Sequence, residues 1–326
     1  MSAPLPRVLI ILTWFGHWPG WMQAFVESCR WNPTIDWLIA TDCGDPGDLP
    51  PNVRLFQASF PEYRELAGER LGIKPEWQNA YKLCDLKPAL GFIHQDCLGD
   101  YDYWGFGDLD VIYGNIRAIY TPEILQYDLI SSHEHIVAGH FTLLRTAPRM
   151  RDAFQRVRGW RGLLAQARHC SFDEQIFSRL FMPVNWRRPW QRLAAPWLGG
   201  AVLREQFSTD LDPLPWVDGS RNYPTEWYWR EGRLTNASTG EREFLYLHLS
   251  HWQSSRWTGE AQAPWRHLAH ISQLPPGRPS AFRISREGIL PMGTAGERPL
   301  RRAGEDAGQG ARRWSPRTPA ALDLAG

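Results

Sequence analysis

The sequence predicts an α/β fold with a parallel sheet whose ligands gather at the carboxyl ends of its strands. Three observations carry that prediction. Short β-branched runs recur early in the chain, each stops at a polar or glycine-containing loop, and segments of helical spacing separate them.

Arg7 to Thr13 (RVLIILT) reads as a buried first strand, because a run apolar at consecutive positions suits a strand covered on both faces. It ends at Trp14-Phe15-Gly16, a loop placed to face a ligand. Trp21 to Cys29 then carries helical spacing. Ile35 to Thr41 (IDWLIAT) is a second strand, ending in Asp42-Cys43-Gly44 and a Pro/Gly turn region, and Val53 to Ala58 is a third. Strand, helix, strand, with a polar loop after each strand, is the pattern of a sheet that binds at its strand ends.

Between Pro61 and Gly99 the pattern turns helical: Tyr63 to Leu71, then Ala80 to Gln95 with Leu83, Leu86, Leu90 and Ile93 at helical spacing. Lys82, Asp85 and Lys87 lie on or near that second helix, either as a solvated face or as a contact to phosphate or carboxylate. A helix is expected near Pro122 to Gln126, strands at Leu129 to Ser132 and Phe141 to Leu144, and a long helix over Met150 to Gln166. Phe172 starts the next helix, with Ser171 as its cap. Trp186 to Gly200 is Pro-broken, basic and aromatic, and reads as a loop insertion. Phe244 to Leu249 (FLYLHL) is a late apolar strand. One domain is expected over residues 1–290, followed by a tail from 291 rich in Gly, Pro, Arg and Ala that is predicted to be disordered.

The segment Tyr101 to Arg117 (YDYWGFGDLDVIYGNIR) stands out, because Asp108 and Asp110 interrupt an otherwise apolar, aromatic strand. Two positions apart on an extended backbone, both carboxylates point to one face while Leu109 faces the other way. They can then share one divalent cation. A cation holding a nucleotide diphosphate offsets the cost of burying the acids, and hard oxygen ligands suit Mg²⁺ or Mn²⁺.

Composition narrows the function classes. The formal net charge is +1, so no global field favours nucleic acid or an anionic membrane. The five cysteines lack metal-ligand spacing and read as reduced thiols of a soluble, cytoplasmic chain. Val8 to Leu12 is too short to span a bilayer. The 18 tryptophans give slight support to a carbohydrate ligand, since indoles stack on sugar rings, although burial explains most tryptophans in any protein.

The segments FGHWPGWMQAFVESCRWNPTIDWLIATD, KLCDLKPALGFI, YWGFGDLDVIYGNIR, GHFTLLR and FLYLHL resemble the GT-A type nucleotide-sugar glycosyltransferases, in particular a bacterial group of presumed glycosyltransferases known mainly from sequence. The resemblance runs from about residue 7 to 250. It implies a Rossmann-like GT-A fold with a mixed, mostly parallel sheet. It also implies a metal-dependent transferase that moves a sugar from a UDP-linked or similar donor to a glycan or lipid-linked acceptor, as in bacterial surface polysaccharide synthesis. By position, Asp108 and Asp110 match the family's metal and diphosphate motif, and His248 a late histidine that completes metal coordination. Phe15 and Asp42 fall where the nucleotide base and ribose are held, and Lys82 where a basic residue approaches the donor. Asp173 and Glu174 match a late acidic motif facing the transferred sugar or its acceptor. Unlike similar sequences, this chain follows the late strand with His251-Trp252-Gln253 rather than with basic residues, and Arg256 is the nearest guanidinium.

The chemistry is consistent with those positions. Sugar transfer leaves negative charge on the departing diphosphate, which a cation stabilises as a Lewis acid. A neutral imidazole from His248, or from His251 in its place, would favour Mn²⁺ over Mg²⁺. As a bland alternative, His248 is a hydrogen-bonded strand histidine. His133, His135 and His140 read as loop polar groups. In an inverting transfer Asp173 or Glu174 would take the acceptor proton; otherwise both acids simply favour a helix N-terminus. Two rival functions are an Asp-nucleophile phosphohydrolase and a noncatalytic carbohydrate-binding protein. The Trp/Arg mixture of Trp186 to Gly200 suggests a peripheral contact with the inner face of a membrane.

Overall fold

The computed structural model describes residues 4–181, 200–209, 215–220, 222–249, 279–285 and 287–292. Its centre is a seven-stranded sheet. The first three strands, β1 (Val8–Trp14), β2 (Ile35–Thr41) and β3 (Val53–Gln57), pair in parallel. The remaining members are β4 (Tyr103–Gly107), β6 (Leu129–Ser131), β7 (Phe141–Arg145) and β8 (Ala201–Leu203), after β5 (Val111–Tyr113) has left for a second sheet. The order is β3-β2-β1-β4-β7-β6-β8. Only β7 runs against the others, because it pairs antiparallel with both β4 and β6. This is the mixed, mostly parallel α/β sheet that the sequence predicts.

Both faces of the sheet are covered, as the unbroken apolar runs require. Val8, Ile10 and Leu12 of β1 join one hydrophobic cluster, while Leu9 and Ile11 join the other. Helix α1 (Met22–Arg30) contributes Met22, Ala24, Phe25, Val26 and Cys29 to the first face. Helix α2 (Phe60–Leu71) supplies Tyr63, Ala67 and Leu71 to the second. A capping box starts α2: Ser59 accepts from the Glu62 amide while the Glu62 carboxylate accepts from the Ser59 amide.

Several expected elements take another form. The segment expected as one helix over Ala80 to Gln95 is a 3-10 helix from Ala80 to Ala89, one α-turn (Leu90–Ile93) and a further 3-10 turn (Gln95–Cys97). Pro88 has no amide hydrogen to give an α-helical bond, and the buried Lys82–Asp85 pair at 2.7 Å locks the tighter spacing. The expected long helix over Met150 to Gln166 is broken into Pro148–Arg151, Ala153–Arg156 and Trp160–Ala165, the last entered through Gly159 at φ 74°. Ser171 does not cap the next helix, since its own φ is 52° and its side chain makes no capping bond. Asp85 does that work from a distance, accepting from the amides of Phe172 at 2.8 Å and Cys170 at 2.9 Å.

A four-stranded antiparallel sheet was not anticipated. It comprises β9 (Glu226–Arg230), β10 (Arg233–Asn236), β12 (Ala281–Ser285) and β13 (Gly288–Pro291) in the order β10-β9-β12-β13. Trp229 stacks on Phe282 at 4.6 Å within it. Trp37, Trp77, Trp104, Trp227 and Trp229 are fully buried, so much of the tryptophan content builds core rather than a sugar-binding face.

The described residues belong to one compact unit, Met1–Met292. The tail from 293 onward, almost all of the Trp186 to Gly200 insertion, His251 and Arg256 lie outside the described residues. Among the described residues, no helix is long and apolar enough to cross a membrane.

Candidate metal and donor site

Asp108 and Asp110 do not sit within a strand. After Gly107 pairs with Phe141 the chain leaves the main sheet, and Asp108 through Asp110 form a bend before β5 begins. The extended-strand reading of the acid pair is corrected on this point, because β4 and β5 belong to different sheets. A side chain at Gly107 would come within 2.9 Å of the His140 carbonyl, so the close β4–β7 approach that launches the bend depends on glycine. Leu109 is buried, and its carbonyl accepts from the Trp21 indole at 3.0 Å. With Leu109 pinned in the core, its two acidic neighbours are turned outward.

The third member arrives from β11 (Tyr246–His248), which pairs antiparallel with β5 and sets His248 opposite Val111. The amide of Leu249 donates to the Asp110 carbonyl at 2.7 Å, closing that register. As a result Asp108, Asp110 and His248 bring one ligand atom each within 4.8 Å of one another. His248 is placed here, while His251, the other histidine considered, lies outside the described residues.

The donor set fits a divalent cation. Asp110 Oδ1 is buried and finds no hydrogen-bond donor among the described residues, although His248 Nε2 lies 3.4 Å away. A buried carboxylate oxygen without a donor is costly, and a cation between oxygen and imidazole removes that cost. Two carboxylates and one imidazole leave coordination positions open, and the mixed oxygen and nitrogen set suits Mn²⁺ or Mg²⁺. The side chains of Asp108, Asp110 and His248 retain 32%, 15% and 13% exposure, so the cluster is reachable.

Lys87, not Lys82, is the lysine at the acids. Lys87 Nζ lies 2.6 Å from Asp108 Oδ1 and 3.7 Å from Asp173 Oδ2, with the side chain only 6% exposed. The Lys82 ammonium instead donates to Asp85 at 2.7 Å and to the carbonyls of Leu163 at 2.8 Å and Arg168 at 2.9 Å, which occupies all its hydrogens. Lys82 and Asp85 together hold the loop that carries Asp173.

Asp173 is buried beside Lys87, and Glu174 accepts from the Gly139 amide at 3.1 Å. Gly139 has no room for a side chain, which would meet Asp173 Oδ2 at 2.7 Å and Glu174 Oε1 at 3.0 Å. Both acids thus sit at the wall of the same cluster, in a short π-helical turn from Phe172 to Ile176.

Burial raises the Asp173 carboxyl to about 7, Lys87 opposes this, and the charges of Glu174 and Asp108 add to it. Burial likewise lifts Asp108 despite Lys87. Burial also works to raise Asp110, but the neighbouring His248 outweighs it and holds that carboxyl below its usual range. His248 itself is raised, since the charges of Asp110 and Asp108 overcome the opposing effect of burial.

The parallel strands bring the remaining positions to the same end of the sheet. Trp14 pairs with Thr41 at the carboxyl ends of β1 and β2, so Phe15 and Asp42 emerge side by side. Asp42 Oδ1 accepts from the Gly16 amide at 2.7 Å, and the side chain remains exposed. Phe15 packs edge-on against Phe60 at 5.8 Å and tilted on Tyr63 at 5.4 Å.

Sequence reasoning missed the histidines behind the cluster. His133 and His140 lie in loops, as expected, but both are buried, and the His140 ring stacks on His248 at 4.2 Å. The signal available was Gly139-His140 directly before the apolar strand at Phe141, which places that histidine at a strand edge. Likewise Lys87 was legible only as one of three charged residues on a presumed helix.

Residues 10–270 match the model of a family of unknown function, DUF6625. The chain belongs to that family. No curated protein matches it. Among solved structures, this DUF6625 chain is similar to the glycosyltransferase GlyE of Streptococcus pneumoniae TIGR4, at 9% identity and a TM-score of 0.26 over 47% of this chain and 38% of that one. It is also similar to the apo form of mouse xyloside xylosyltransferase 1, at 11% identity and a TM-score of 0.26 over 49% of this chain and 71% of that one. The chain thus spans well under half of GlyE, and likenesses this slight carry no functional weight.

Proposed function

We propose that the chain is a metal-dependent glycosyltransferase of the GT-A type, taking a sugar from a nucleoside-diphosphate donor, UDP-linked by expectation, to a glycan or lipid-linked acceptor. One observation carries the reading: Asp108, Asp110 and His248 gather one ligand atom each within 4.8 Å, at the end of a sheet whose other strand ends carry Phe15 and Asp42. A cation held there would act as a Lewis acid on the departing diphosphate.

The chain's own residues complete the chemistry. Asp42, with one oxygen held by Gly16, presents the other to a ribose hydroxyl, and Phe15 offers an aromatic edge to the base. Lys87 supplies positive charge beside Asp108, where the leaving group gains negative charge. Asp173, buried with a carboxyl near neutrality, is suited to accept the acceptor hydroxyl's proton in an inverting transfer. In a retaining transfer the same carboxylate would face the anomeric carbon.

Calorimetric titration of UDP with Mn²⁺ and with chelator, on the native protein and on Asp110→Asn, tests the proposal. UDP binding should require Mn²⁺ and vanish in the variant while its circular dichroism stays native. Equal UDP binding under chelation, or in Asp110→Asn, would reject the site.

A further inference from the structure

A basic strip climbs the second face of the sheet. Residues 145–168 hold seven arginines and one acid, Asp152, in a chain whose overall charge is +1. Phe154, Val157, Trp160 and Leu164 turn into the core, which leaves Arg156, Arg158, Arg161 and Arg168 exposed. None of these arginines has a carboxylate partner among the described residues, whereas Arg145 and Arg149 pair with Asp128 and Arg151 with Asp152. The strip starts beside the first residue of β4, where the Thr146 amide donates to the Asp102 carbonyl at 2.8 Å. It ends at the site: Lys82 holds the carbonyls of Leu163 and Arg168, and Asp85 holds the amides of Cys170 and Phe172, directly before Asp173. At that end Tyr81 is 67% exposed, and its ring stands edge-on against His169 at 4.8 Å.

We propose that the acceptor is an acidic glycan, carrying carboxylate or phosphate groups, which lies along this strip and brings its end sugar over Tyr81 to Asp173. The inference rests on the transferase reading and names the acceptor class for it. Guanidinium forks pair with carboxylate and phosphate oxygens two at a time, and the exposed Tyr81 ring offers a stacking surface to a sugar. The acids of this face lie toward its other edge: exposed Glu62, Glu65 and Glu69 are on α2, which packs against β3 through Tyr63 and Phe56. Glu76 comes closer, its amide donating to the Ala165 carbonyl at 2.8 Å, but Lys74 two residues earlier offsets its charge. A single glycan chain need touch only the arginines, whereas a bilayer or a nucleic-acid duplex would also meet the acidic half. The apolar residues of the strip are committed to the core, so they cannot insert into lipid.

Calorimetric binding of oligogalacturonate, pentamannose phosphate and uncharged maltohexaose, with chelator present and no donor, tests the strip apart from the metal site. Both acidic glycans should bind at about 0.15 M salt, and maltohexaose should not. The triple variant Arg156→Gln, Arg158→Gln, Arg161→Gln should weaken acidic-glycan binding about tenfold and flatten its salt dependence, while its circular dichroism stays native. Tyr81→Ala should weaken binding about threefold with the salt dependence unchanged, and Tyr81→Trp should restore it. Equal binding of maltohexaose, or native affinity in the triple variant or in Tyr81→Ala, overturns the proposal. Tighter binding of phosphatidylglycerol vesicles or duplex DNA than of either acidic glycan overturns it too. A protein that binds the acidic glycans but no UDP would sink the transferase reading, and the acceptor role with it, while glycan binding by the strip would stand.

Discussion

Lys87 forms an ion pair with Asp108 at 2.6 Å, so the lysine stands on one of the carboxylates proposed to hold a cation. Burial works against its charge, but Asp108 and Asp173 keep the ammonium protonated well above the ordinary lysine range. Lysine and cation are therefore rivals for Asp108. Lys87→Met should lower the stability of metal-free protein by about 3 kcal/mol, because it leaves two buried acids without a countercharge. The same change should tighten Mn²⁺ binding in the absence of nucleotide, by roughly tenfold, as one positive charge leaves the site. Urea unfolding with and without Mn²⁺ checks both directions; weaker Mn²⁺ binding in the variant would contradict them.

Lys82→Met gives a contrasting expectation. Its ammonium serves Asp85 and two backbone carbonyls, and Asp85 in turn caps the Asp173 loop. Loss of that buried pair should also cost about 3 kcal/mol of stability. Mn²⁺ affinity, measured well below the unfolding transition, should stay unchanged, and a large loss there would place Lys82 in the site after all.

Asp173 sets an expected pH dependence. A proton acceptor works as the carboxylate, and burial lifts this group to about 7, so transfer should rise with pH through neutrality. Lys87→Met should move that rising limb to higher pH, since Lys87 is what holds the carboxyl down. A pH-rate profile flat from pH 5 to about 8 would remove Asp173 from the acceptor role.

His94 is expected to weaken the fold in acid. It is buried between Phe56 and Tyr63, with its Nε2 3.0 Å from the Tyr63 hydroxyl, and burial lowers its pKa from 6.5 to about 4. The unfolded chain takes up the proton near 6.5 while the native state resists until about 4. The contribution is thus full above 6.5 and is lost as pH falls through that window, to a total of about 3 kcal/mol. His94→Gln should flatten stability between those limits in chemical denaturation; an unchanged slope would show that other groups set it.

Much of this molecule is written locally. The strands at Val8, Ile35, Val53, Leu129 and Phe141 follow from apolar β-branched runs, and the acids at Asp108 and Asp110 stand out because their neighbours are so apolar. Where local signals compete, the pattern misled. The spacing of Leu83, Leu86 and Leu90 suits an α-helix, yet Pro88 and the buried Lys82–Asp85 pair impose a 3-10 path. Alternation around Leu109 suits one strand, yet the chain changes sheets there.

Chain chemistry alone determined the parallel strands and the two acids, since strand propensity and the burial of apolar runs act between near neighbours. Only tertiary structure decided which lysine meets Asp108, that Asp85 rather than Ser171 caps the Asp173 turn, and that His248 arrives with Thr209, His140 and Tyr246 behind it. Those choices depend on packing between segments distant in the chain, 87 residues apart for Asp85 and Phe172 and 114 for Tyr246 and Ser132. No local pattern of side chains encodes such contacts; they are fixed when the two sheets pack and bury their polar groups against one another.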